Sequence, residues 1–189
     1  MEIPAPATTL NASLLEQLTF HWDVHLRPKL DGLTDEEYFW EPVANVWNLV
    51  PKGSARTPVA GGTGEYVAEF AMPEPDPAPV TTIAWRLAHL IVGVFGERNH
   101  SHFGGPLMSY MDMAYPGTAK EALVLLDDVY ARWCAGVAAL GEEGLQRPVG
   151  PAEGPFAEHP FSTLVLHIHR EAIHHGAEIL LLRDLRRNR

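Results

Sequence analysis

Apolar residues recur at helical spacing in four long stretches of the chain. In "TTLNASLLEQLTFHWDVHL", Leu14, Leu15, Leu18, Trp22 and Leu26 share one side of a helix predicted from about Leu10 to Leu30. Pro28 disfavours helical backbone at the residue before it, so this helix should end or kink there. A fresh start follows in "GLTDEEYFW", with Thr34 as N-cap and Glu37 as its capping-box partner three residues on. "TTIAWRLAHLIVGVFGERNHSHF" predicts a second long helix, capped by Thr81 or Thr82. It is apolar nearly all round through Val94 and should therefore be central. "GTAKEALVLLDDVYARWCAGVAALG" predicts a third, starting after Pro116 and ending at Gly141. Its core stripe is Leu123, Leu126, Tyr130, Trp133 and Val137. The last helix begins near Phe161 or Ser162 and runs to about Arg186.

Between Pro42 and Pro79 the pattern breaks. Seven prolines and a "GGTG" turn exclude a helix, and only "EYVAEFAM" alternates weakly, as a short strand would. Residues 42–80 read as an inserted Pro/Gly-rich loop or small hairpin, and a loop of that length suggests a lid. The second interruption, "GLQRPVGPAEGPFAEHP", reads as a loop as well. The expected fold is all-α: one domain over 1–189, a four-helix bundle with the long loop between its first two long helices.

Composition narrows the function classes. The formal net charge is −10, which argues against a nucleic-acid binder and against docking on an anionic membrane. The basic run "RDLRRNR" at the end reads as cations at a helix C-terminus, where they suit the dipole. A single cysteine, Cys134, excludes an internal disulfide and a Cys-rich metal site, and reads as a small core residue. "MEIPAPATTLNASLLEQ" lacks the pattern of a secretory leader, and no apolar stretch is long enough to span a bilayer. A reducing cytoplasm is the expected setting.

The chemistry concentrates in the last helix. "HIHREAIHHGAEILLLRDL" holds four of the ten histidines. At about 100° per residue, His167, Glu171, His174, His175 and Glu178 fall within roughly 100° of arc, bounded by apolar positions. A solvated face would carry Lys and Arg, and this stripe has neither. Buried carboxylates are costly unless paired with a cation or metal, so a metal site with nitrogen and oxygen ligands is expected. Glu171 and His175 lie one turn apart and can grip one ion. Spacing leaves three other pairings open: His167 with Glu171, His167 with His174, and Glu171 with His174. His169, near 200° on the same wheel, points away.

Another helix must supply a third ligand. His89, in an almost uniformly apolar helix, is the best candidate, although a lone histidine there is more commonly a hydrogen-bonded core residue. His21 and His25 form a further i, i+4 pair beside the core side of the first helix and are candidates to line a pocket. Arg86, one turn before His89, could meet a substrate carboxylate or pair with a bundle glutamate. His100, His102 and His159 read as loop residues, the first two at a pocket mouth.

"TIAWRLAHL" and "REAIHHGAEILLLRDL", with "HWDVHLRPKLDGLTDEEYFWEP" and "RNHSHFGGP", resemble the DinB/YfiT-like superfamily over nearly the whole chain. The closer likeness is to the actinobacterial branch related to mycothiol-dependent maleylpyruvate isomerase. The resemblance implies a divalent metal, zinc or else nickel, inside a four-helix bundle. Many members place His-Glu-x-x-His-Arg-Gly-Gln on the last helix. Here His175 matches the second histidine, while Glu171 stands where the first would be, which departs from the common pattern and is similar to the His–Glu–His set of the isomerase branch. The resemblance thus implies His89, Glu171 and His175 as ligands. Glu178, His174 and His167 would lie around them and orient them.

Three protein ligands leave a position open for water or substrate. The resemblance implies a low-molecular-weight thiol, such as mycothiol, transferred to a small electrophile or used to isomerise it. The competing expectations are a metal-dependent hydrolase, against which the missing H-E-x-x-H base counts, and a non-enzymatic metal-binding stress or interaction protein. A homodimer is expected only because proteins of this superfamily often pair.

Overall fold

Thr9 opens the first helix, its hydroxyl accepting from the Ala12 amide, and α1 (Leu10–Phe20) follows. The computed structural model describes residues 8–189; the N-terminal leader reading falls partly on residues 1–7, outside the described residues. Beyond Phe20 the rod widens into a π-helical turn (His21–Leu26) and closes with a 3₁₀ turn (Arg27–Leu30) that contains Pro28. The Arg27 amide reaches back five residues to the Trp22 carbonyl. This widening has a cause in the sequence. Leu18, Trp22, Leu26 and Leu30 are all buried, each four residues from the next. A regular helix of 3.6 residues per turn would rotate such a series off the core, and a wider turn keeps it facing inward. Trp22 stacks face to face on Tyr130, with ring centroids 3.8 Å apart. The rod thus ends at Leu30, as expected, and changes helix type around Pro28.

Thr34 and Glu37 form the predicted capping box, which starts the short α2 (Asp35–Tyr38). Thr82 caps α3 (Ile83–His89). Immediately after His89 this rod also becomes π-helical (Leu90–Gly96), then continues as α4 (Glu97–Phe103). His100 and His102 thus lie in a helix rather than a loop, and His102 is buried against Glu153 at 2.8 Å. Thr118 caps α5 (Ala119–Gln146). The expected stop at Gly141 is a break: its φ of +60° is left-handed backbone that favours glycine, and one further turn follows. A 3₁₀ segment (Pro151–Phe156) precedes α6 (Phe161–Arg187).

The structure is mostly helical. α1 packs on α5 and α6, α3 and its π-helical continuation pack on both as well, and α4 packs on α5. Trp133, Phe95, Leu87 and Val165 lie in the shared core. Residues 42–80 correct the all-α reading. They hold a three-stranded antiparallel sheet in the order β1-β3-β2, built from β1 (Leu49–Pro51), β2 (Val59–Gly61) and β3 (Tyr66–Phe70). Leu49 pairs with Ala68, and Gly61 pairs with Ala68 from the other side. What holds this small sheet is polar. Glu69 is fully buried, and its carboxylate accepts from the Arg56 amide and guanidinium and from the Asn48 amide. Among the described residues no helix is long and apolar enough to cross a membrane.

Candidate metal centre

The face of α6 set by Val165, Ile168, Ala172 and Ile179 packs into the core, and the polar stripe lies along its edge. At that edge His175 is buried, Glu171 and Glu178 are half-buried, and His174 is exposed. The opposite helix, α3, brings His89 to the same place. Donor atoms of His89, Glu171 and His175 lie within 4.8 Å of one another. The two imidazoles meet edge to face, 4.6 Å apart.

Each imidazole has an outer partner. His175 Nδ1 lies 2.7 Å from Glu178 Oε2, and its Nε2 lies 3.3 Å from Glu171 Oε2. Glu178 is held in turn by Arg86, whose Nε is 3.0 Å from Oε2. Arg86 therefore forms the glutamate pair, one of the two roles open to it from sequence. His89 Nδ1 hydrogen-bonds the Tyr110 hydroxyl. If both imidazoles donate from Nδ1, the lone pair of Nε2 is free on each, as metal ligation requires. Burial first, then the neighbouring His175 and Arg86, pushes the His89 pKa down to about 4, so this ring is neutral at ordinary pH. Burial also holds the Tyr110 hydroxyl above the usual tyrosine range.

Sequence reasoning missed Tyr110, which sits in the irregular segment after α4 where no periodicity marks it. The signal was its fit to Gly93, one turn after His89. A Cβ built on Gly93 would lie 2.1 Å from the Tyr110 hydroxyl oxygen. Trp85 was missed too. Its ring stacks on His89 with centroids 5.7 Å apart, and its indole N–H donates to the Glu69 carbonyl at 2.7 Å. The sheet thereby steadies the His89 ring. Tyr110→Phe and Gly93→Ala should each weaken metal affinity by about 10–100-fold, the usual cost of losing a ligand's outer partner. Competition titration with a chromogenic chelator would measure it, and an unchanged affinity would remove Tyr110 from the centre.

The remaining expected residues are placed less centrally. His174 meets Glu178 Oε1 at 3.5 Å on the outer side and forms a second group with His175 and Glu178. His167 lies 3.6 Å from Glu171 Oε1 and hydrogen-bonds Arg170. His21 and His25 pair with each other, rings 6.0 Å apart, with His25 exposed; neither belongs to either donor group. His169 points away from the stripe but into the core, against Trp133. Burial pushes the Cys134 thiol up to about 11, which fits a packing residue and not a nucleophile.

Two imidazoles and one carboxylate, with no thiolate, suit zinc or nickel and are a poor set for calcium or magnesium. The residues therefore fit the divalent ion that the sequence led us to expect. Among comparisons with known proteins, the family model described as the DinB superfamily matches residues 17–179. No curated protein and no solved structure matches the chain.

Proposed function

Because the chain belongs to the DinB superfamily, we propose that it is a divalent-metal protein acting in the cytoplasm, with its four long rods forming that family's four-helix bundle. His89, Glu171 and His175 hold the ion, zinc in the first place and nickel as the alternative. The observation that carries this reading is the convergence of the three donors within 4.8 Å, with both Nδ1 atoms already engaged by outer partners. When bound, the ion supplies a Lewis-acid position beside which a thiol loses its proton near neutral pH.

The chain's own residues prepare that position. Tyr110 and Glu178 hold the Nδ1 protons, and Arg86 holds Glu178 in place. The Trp85 ring stacks against one face of His89 and steadies it. The reaction class this serves best is transfer of a small cytoplasmic thiol of the mycothiol type to an electrophile, or isomerisation of the electrophile through such an adduct. Hydrolysis is less well served. Glu171 belongs to the donor set and Glu178 is tied to Arg86 and His175, so neither carboxylate is free as a base.

The test is turnover of a panel of small electrophiles by zinc-loaded protein, with and without mycothiol. Consumption only when protein, zinc and thiol are all present is the expected result. Equal consumption without thiol would overturn this reading in favour of a hydrolase.

A further inference from the structure

A cavity of about 490 Å³ opens between α6 and the 3₁₀ segment Pro151–Phe156, and two of its lining residues, His167 and Arg170, neighbour Glu171. Its volume is that of an ordinary small-molecule site. Its apolar wall includes Phe156, Leu164 and Leu166. Phe156 and Leu166 are more than half exposed, an unusual position for two large apolar side chains that face one opening. The polar lining holds two arginines, Arg98 and Arg170, and two imidazoles, His159 and His167, against one carboxylate, Glu153. That carboxylate is already engaged, by His102 at 2.8 Å and Arg98 at 3.5 Å. The two arginines, against one engaged carboxylate, run against the balance of the whole chain, which has 24 acidic and 14 lysine or arginine side chains.

Glu171 joins the cavity to the centre. Its Oε1 faces the lining residues Arg170, at 3.4 Å, and His167, at 3.6 Å. Its Oε2 faces His175 Nε2. Arg98, at the other side of the lining, donates to the carbonyl of Gly93, the residue beneath the Tyr110 hydroxyl.

We infer that this cavity binds an amphipathic monoanion: an apolar body lies on Phe156, Leu164 and Leu166, and a carboxylate-like head meets Arg98, His167 and Arg170 at the Glu171 side. As the substrate pocket of the metal centre it rests on the function proposed above; as a binding site it stands on its own lining. It sets the substrate class as an electrophile carrying an acid group on an aliphatic or aromatic body.

The probes are octanoate, octan-1-ol and octylamine, titrated into ¹⁵N-labelled protein with amide shifts followed by NMR. Octanoate should bind at least tenfold tighter than the alcohol or amine and shift the amides of Phe156, Leu164 and His167. Arg170→Gln and Leu166→Asp, both at exposed positions that fold independently of the core, should each weaken octanoate at least tenfold. Equal binding of octanol, shifts confined to another surface, or unchanged affinity in both variants would overturn the inference. Zinc uptake, measured in parallel, separates the two claims. Octanoate binding by protein that takes up no zinc would leave the cavity standing and remove the metal reading. Zinc uptake without octanoate binding would do the reverse.

Discussion

Replacing His175 with alanine is expected to abolish stoichiometric zinc uptake while the far-UV circular dichroism stays helical. Loss of an outer partner alone costs about 10–100-fold in affinity. Loss of a ligand should exceed the upper end of that range, more than about 2.8 kcal/mol of binding. His89→Ala should do the same from the other helix, since it leaves intact only the outer group of His174, His175 and Glu178, whose His174 is exposed. The fold should survive both changes. His175 lies at the edge of the buried face of α6, where truncation costs about 1 kcal/mol, an ordinary single-site effect. Metal content after gel filtration, read by mass spectrometry beside the dichroism spectrum, checks both halves. Wild-type protein that takes up no zinc or nickel would remove the centre, and a variant that keeps full occupancy would remove His175 from it.

The largest effect on stability is expected from Arg183→Leu. Arg183 is buried, and its guanidinium bonds Glu37 at 3.1 Å and the backbone carbonyls of Lys29 and Asp31. Removing one partner of such a buried pair costs about 3–5 kcal/mol, because the other charge is left uncompensated. Arg187, 3.0 Å from Glu37, remains and favours the lower end. For a chain of this length that is a fall of roughly 6–12 °C in Tm. The pair also has a pH signature. Burial pushes the Glu37 carboxyl up, and hydrogen bonds from Arg183, Thr34 and Arg187 more than reverse this, so its pKa lies below the usual carboxylate range. A depressed folded-state pKa gives stability that is present above the unfolded value and lost as pH falls through the folded one. Wild type should therefore lose stability faster than Arg183→Leu on acidification from pH 5, and the two melting curves should converge. Equal slopes for the two proteins would sink the assignment.

Helix starts were legible because their signals are local. Thr34 with Glu37, and Thr82, each cap from within three residues. The convergence of His89, Glu171 and His175 was legible for a similar reason: Glu171 and His175 are one turn apart, and His89 is conspicuous in an apolar helix. The parts that stayed hidden depend on what another segment supplies. Tyr110 finds its place only against the gap at Gly93. Residues 42–80 were read as a loop or small hairpin with one short strand, β3; the full sheet stayed hidden because β1 and β2 are three residues long and its buried anchor, Glu69, is a residue that hydropathy assigns to the surface. The π-helical turns escaped because a fixed angle of 100° per residue cannot report a change of pitch. "RDLRRNR" read as dipole compensation, and its first arginine proved to be the buried partner of Glu37.

The Trp85 contact with the sheet bears on how the protein assembles. The backbone hydrogen bonds of α5 and α6 close between residues four apart in sequence. His89 acquires its surroundings only after three separate chain closures: α3 onto α6, the β3 carbonyl onto Trp85, and the Tyr110 segment onto Gly93. Each closure joins residues distant along the chain and carries its own loop entropy, which slows it relative to helix formation. The convergence of His89 with Glu171 and His175 thus depends on completed tertiary structure, which helix content alone does not report.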